Sequence, residues 1–144
     1  MPGVWGPYYS AILPEFWLLE GGQTAVGSLI DHIMESHPAY QEAVAEAAAK
    51  SKPVHAYLDD QVSILAGKLD LTDTAYLTAD LHIWPDYHGN RAPLADPDMT
   101  GMVCGLRLEK SSVQNLALHY LAAIQAVAYG TKAIVEQIKS HSDR

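Results

Sequence analysis

The sequence predicts an α/β chain with three or four strands, too few for a sheet that stands alone. Three observations predict it. An aromatic stretch punctuated by Gly and Pro opens the chain, helical periodicity fills the middle, and a long helical pattern follows a polar run at residues 86–101. The 144 residues fit one domain, and 49 % hydrophobic against 18 % charged residues leave enough apolar material for a core.

The first segment, GVWGPYYSAILPEFWLLEGG at residues 3–22, reads as one or two strands with a turn near Ser10 to Pro14. Its Trp5, Tyr8, Tyr9, Phe16 and Trp17 all favour burial, which is unusual at the start of a domain. From Gln23 to Glu35 the period changes: Val26, Leu29, Ile30, Ile33 and Met34 share a helical face, and Pro38 stops the run. Residues 39–50 are Ala- and Glu-rich with a narrow apolar stripe, which predicts a surface helix. Pro53 suits a first helical turn, and Val54, Tyr57, Leu58, Gln61 and Leu65 form one face before Gly67. AYLTADLHIW, residues 75–84, carries β-formers and predicts a strand leading into the polar run. GMVCGL, 101–106, predicts a short strand. Ser111 and Gln114 have capping-box spacing, and Leu116, Tyr120, Ile124, Val127, Thr131, Ile134 or Val135, and Ile138 then recur at helical spacing to about residue 140. Ala122, Ala123, Ala126, Ala128 and Gly130 on that helix allow close packing.

Charge narrows the function. A net charge of −8 without a Lys/Arg cluster argues against nucleic-acid or anionic-membrane partners. No apolar run approaches the roughly 20 residues of a membrane span, and the N-terminus lacks the pattern of a signal peptide. One cysteine, Cys104, excludes an internal disulfide and suggests a reducing compartment, so a cytoplasmic protein is expected.

Three chemistries compete in the residues. His82, Asp86, His88, Asp96 and Asp98 contain metal-ligating types, but the spacing matches no compact ligand pattern, and Pro, Asp and Asn are ordinary turn formers, so no metal site is expected. Cys104 sits in an apolar context that suits a buried small hydrophobe better than a nucleophile. EGGQTAVG, 20–27, joins a strand to a helix start; such a junction either meets phosphate oxygens or serves as a tight turn.

Together, E-G-G-Q-T-A at 20–25, H-G-N-R-A-P-L-A-D-P at 88–97 and G-M-V-C-G-L at 101–106, followed by LALHYLAAIQAVAYGTKAIVEQI at 116–138, resemble the C-terminal half of the FGGY carbohydrate kinases, closest to their ribulokinase-like branch. The resemblance covers almost the whole chain and is weakest over 39–74. It implies an incomplete ribonuclease H-like lobe of actin/hexokinase type, with a helical insertion at 39–74, a cleft-side loop at 84–100 and a long helix at 111–141. It also implies transfer of the γ-phosphoryl group of ATP, with Mg²⁺, to a hydroxyl of a pentulose, D-ribulose favoured.

By the same resemblance, Gly27 and Asp31 face the nucleotide, Gly27 by close approach and Asp31 by accepting a hydrogen bond from the ribose. His88, Asn90 and Arg91 belong to the cleft loop, where Arg91 is an orienting cation or, by preference, a structural ion-pair partner. No residue here matches the family's catalytic aspartate, its Gly-Thr-Ser-Ser-like phosphate turn or its adenosine-receiving Gly-Gly turn, and His119 and Ala122 depart from its helix signature. The chain alone is therefore expected to be inactive. The alternative expectation is an interaction module that self-associates through exposed strand edges.

Overall fold

The computed structural model describes residues 3–142, with side chains through Ser140. The predicted hairpin is present. Strand β1 (Trp5–Tyr9) pairs antiparallel with β2 (Trp17–Glu20), with Tyr9 opposite Trp17 and a register break between Trp5 and Tyr8. Its aromatic residues remain largely outside: Phe16 is 67 % and Trp17 66 % exposed. A two-stranded ribbon has no second layer to bury them.

Helix α1 (Val26–Glu35) starts three residues later than its sequence pattern, because Ala25 adopts a left-handed conformation at φ 53°. It buries Leu29, Ile33 and Met34. Helix α2 (Tyr40–Ala49) turns its small stripe, Ala43 and Ala47, inward. Helix α3 (Val54–Lys68) buries Tyr57, Leu58, Gln61, Val62 and Ala66, and it runs one residue past Gly67. Pro53 sits just before it at φ −59° and ψ 148°, conformations open to proline.

The strand expected over 75–84 is only partly formed. Residues Thr74–Thr78 make a short 3₁₀ helix, and only His82–Trp84 extend as β3. Two side chains decide it. Asp73 Oδ1 accepts the Ala75 N–H at 2.8 Å, capping the turn, and Thr78 Oγ1 donates to Gln125 Oε1 at 2.5 Å. Strand β4 (Met102–Cys104) pairs antiparallel with β3, matching Ile83 to Val103. Alternation turns Val103 inward and leaves Cys104 exposed, so the expected burial of this thiol is corrected.

Helix α4 (Val113–Ser142) is the pillar of the fold. Its cap lies one residue beyond the expected pair: Ser112 Oγ accepts the Asn115 N–H at 3.1 Å, so Ser112 and not Ser111 starts the helix. Val113, Leu116, Ala117 and Tyr120 meet Met34, Tyr57, Leu58 and Val62 in one core cluster. Ala122, Ala123 and Ala126 meet Leu29, Ile33 and Ile83 in a second. The small residues let β3 and α1 approach the helix closely, as expected; Ala128 of that series instead faces solvent. Full burial of one side chain such as Leu116 contributes about 2 kcal/mol. Among the described residues no helix is long and apolar enough to cross a membrane.

Candidate functional site

The polar run after β3 is an ordered loop held by its own side chains. Asn90 Nδ2 donates to both carboxylate oxygens of Asp86, at 3.1 and 3.0 Å. Asn90 Oδ1 accepts the Leu94 N–H at 2.9 Å, and the Asn90 N–H donates to the Asp96 carbonyl at 2.7 Å. Asp96 Oδ1 accepts the Asp98 N–H at 2.9 Å, so the aspartates serve turns. Gly89, at φ 74°, is required: a Cβ there would lie 2.7 Å from the Pro97 carbonyl oxygen. Among the described residues no group of three or more His, Cys, Asp or Glu is placed to hold a metal ion.

Arg91 leaves this loop toward the hairpin. Its guanidinium lies 3.3 Å from Glu20 Oε1 and stacks over the Trp5 ring, 4.5 Å from its centroid. Both charged partners are about half-exposed, so the pair orients the hairpin more than it stabilises it. Neither Glu20 nor Trp5 stands out in the sequence as its partner, at 71 and 86 positions' remove.

Gln23 makes the second tie. Its Nε2 donates to the Val127 carbonyl at 2.8 Å and to Thr131 Oγ1 at 2.9 Å, both on α4. Gly130 makes room for it: a Cβ at Gly130 would stand 2.3 Å from Gln23 Oε1. The E-G-G-Q segment is thus a junction fastened to the long helix.

Two clefts flank this arrangement. The larger, about 430 Å³, lies between residues 83–94 and α4, with Gln23, Trp84, Asp86, Asn90 and Tyr129 in its walls. The smaller, about 170 Å³, is bordered by Thr24 before α1, by Ser28 and His32 along it, and by Tyr87 and His88. The five residues singled out in the sequence are therefore dispersed. His88 lines the smaller cleft, Asn90 the larger, and Arg91 neither. Gly27 and Asp31 lie one turn apart on the exposed face of α1 and border neither cleft. A Cβ at Gly27 would meet nothing within 4 Å, so nothing in this chain demands its smallness. Asp31 Oδ1 is 3.9 Å from His55 Nε2, with both side chains about half-exposed.

The model of the FGGY family of carbohydrate kinases, C-terminal domain, matches residues 1–144. Relatives agree. A human FGGY carbohydrate kinase domain-containing protein is 46 % identical over 140 residues, 97 % of this chain and 25 % of its own length. Its counterpart in Xenopus laevis is 49 % identical over 140 residues, with the same coverage. A D-ribulokinase of Saccharomyces cerevisiae is 38 % identical over 136 residues, 93 % of this chain and 19 % of its own length. The chain thus spans no more than a quarter of these relatives. Motif order, fold and whole-length match converge: the chain belongs to the FGGY family of carbohydrate kinases and corresponds to its C-terminal domain.

Proposed function

We propose that this chain acts as part of an ATP-dependent kinase that transfers the γ-phosphoryl group to a hydroxyl of a pentulose, D-ribulose favoured. The observation that carries the reading is the match to the family's C-terminal domain over residues 1–144, and the similarity to a D-ribulokinase supports the sugar. In this reading the chain is part of a ribonuclease H-like lobe. The helices at 39–74 are an insertion, and the loop at 84–100 borders the active cleft.

Gly27 and Asp31 form the nucleotide-facing surface. The open space over Gly27 suits the close approach of a flat group, and the exposed Asp31 carboxylate, 3.9 Å from His55 Nε2, keeps lone pairs for a ribose hydroxyl. ATP supplies the phosphoryl group. Mg²⁺ usually binds through one or two carboxylates together with substrate phosphates, so it is proposed to arrive with ATP. Arg91, paired to Glu20, positions the hairpin beside the cleft loop that carries His88 and Asn90. The base that takes the hydroxyl proton is assigned to the family's N-terminal half, and the isolated chain is proposed to be inactive in the cytoplasm and in the test tube.

A chimera tests the reading. The matching segment of the yeast D-ribulokinase is replaced by this chain, and ADP release is followed with D-ribulose, D-xylulose and glycerol. Turnover with D-ribulose above the other two is expected. A folded, nucleotide-binding chimera that phosphorylates none of them would reject the reading.

The second reading, an interaction module, is favoured by one observation: the hairpin exposes Phe16 and Trp17 beside unpaired strand edges. It predicts self-association of the purified chain, and a concentration-independent monomer in sedimentation would dispose of it.

A further inference from the structure

A third cleft, about 380 Å³, opens where the end of α3 and residues 105–109 meet the first turns of α4. Its walls are mainly aliphatic: Leu65, Leu69, Leu77, Leu81, Leu106 and Leu118. His119 and Glu109 border it as well, and Asn115 fixes both. The hydrogen bonds around Asn115 admit one arrangement. The Ala39 N–H can only donate, so His37 Nδ1, 3.1 Å away, is a bare acceptor and His37 Nε2 carries the hydrogen. His37 Nε2 donates to Asn115 Oδ1 at 2.8 Å, which leaves Asn115 Nδ2 to donate to Glu109 Oε1 at 2.7 Å. The Asn115 carbonyl can only accept, so His119 Nδ1, 2.9 Å away, carries its ring's hydrogen. In the neutral ring His119 Nε2 is therefore a lone-pair acceptor, and no hydrogen bond to it occurs among the described residues.

The charges along the walls do not cancel. Arg107 Nη2 lies 2.8 Å from Asp80 Oδ2, so these two neutralise each other. The Glu109 carboxylate meets the neutral Asn115 amide, and no ion pair to it occurs among the described residues. We propose that this cleft binds a small aliphatic primary amine in its protonated form. The ammonium group brings three donors and one positive charge. One N–H meets the lone pair of His119 Nε2, and another meets the lone pairs that Glu109 keeps. The alkyl body lies against the leucines, which removes apolar surface on both partners from water. A carboxylate of the same length brings no donor to His119 and meets like charge at Glu109. An alcohol brings one donor and no charge. The volume lies within the usual range of small-molecule sites. The cleft sits on the first turns of α4, apart from the one that Gln23 and Tyr129 line further along, so its occupancy does not rest on the phosphoryl-transfer reading.

The test is an NMR titration of the purified 144-residue chain, reading the imidazole nitrogens of His119, assigned by their loss in His119→Gln. At about pH 8 an ordinary imidazole is neutral and an alkylamine is still protonated. The probes are hexylammonium, hexanol and hexanoate. The free chain should show His119 protonated at Nδ1. A saturable shift at Nε2 is expected with hexylammonium, with binding weaker by about tenfold for hexanoate and intermediate for hexanol. Glu109→Gln, at an exposed position, should narrow the gap between amine and carboxylate. Leu106→Ala, where the side chain is also exposed, should weaken all three alike. The proposal is overturned by no saturable shift with hexylammonium, by equal binding of the three probes, or by tighter binding of hexanoate, which would mark an anion site at Arg107.

Discussion

Asn90 grips both oxygens of the Asp86 carboxylate while its own carbonyl oxygen holds the Leu94 N–H, so one side chain closes the loop from two directions. Removing it strands a carboxylate and a backbone donor together. Asn90→Ala is expected to cost about 1–3 kcal/mol and to lower Tm by several degrees. Asn90→Asp should cost more near neutral pH, because it sets two carboxylates at hydrogen-bond distance, and it should recover as the pH falls below the carboxylate range. Thermal melts of the two variants across pH check both; an Asn90→Asp variant insensitive to pH would contradict this account of the loop.

Gly130 and Gln23 should be energetically coupled. An alanine normally stabilises a helix over glycine by about 1 kcal/mol. Here its Cβ would meet Gln23 Oε1 and force that side chain off Val127 and Thr131. Gly130→Ala is therefore expected to destabilise the wild-type chain and to stabilise the Gln23→Ala chain. A double-mutant cycle by urea denaturation reads the difference, and additive effects would refute the contact.

Stability should fall at alkaline pH. Burial pushes the Tyr57 hydroxyl up to about 12, helped by its hydrogen bond to Glu46 and the charges of Glu46, Glu42 and Asp60. Burial likewise pushes Tyr120 up to about 12, with Asp59 adding to it. Both groups hold their protons more tightly folded than unfolded. Their contribution is thus complete below the ordinary tyrosine value of 10.0 and is lost as the pH rises toward about 12. Urea midpoints should decline through that window, and Tyr57→Phe should make the decline shallower.

Mg-ADP should raise the melting temperature of the chain if the exposed face of α1 receives nucleotide. Gly27→Leu and Asp31→Ala should each reduce that rise without lowering the melt in the absence of nucleotide, since both positions are exposed and Gly27 faces open space. An undiminished rise in both variants would place the nucleotide elsewhere.

Long local patterns were legible in the sequence. The hairpin, the helical faces of Leu29, Ile33 and Tyr57, and the long C-terminal helix all follow from spacing within one element. Decisions made by distant partners were not. Residues 75–78 carry β-formers, yet Thr78 bonds to Gln125, 47 positions away, and the backbone coils. The S-x-x-Q spacing pointed to Ser111, but the adjacent Ser112 is chemically alike and is the one that holds the Asn115 N–H. Of the site, the motif segments were visible as such. The distribution of Gly27, Asp31, His88, Asn90 and Arg91 over separate surfaces was not, because each depends on where α1 and the loop meet α4.

Both core clusters are strung on α4, one along the turns that hold Leu116 and Tyr120 and the next on the turns that hold Ala122 and Ala126. At 1.5 Å per residue its 30 residues span about 45 Å without a break. Neither cluster can lose its side of that rod while the other stays whole, for one continuous helix runs beneath both and Ile30 packs against each. The helical body should melt as one unit, so probes placed beside Tyr57 and beside Ile83 would register a single midpoint, and slow hydrogen exchange would extend unbroken across the junction between them.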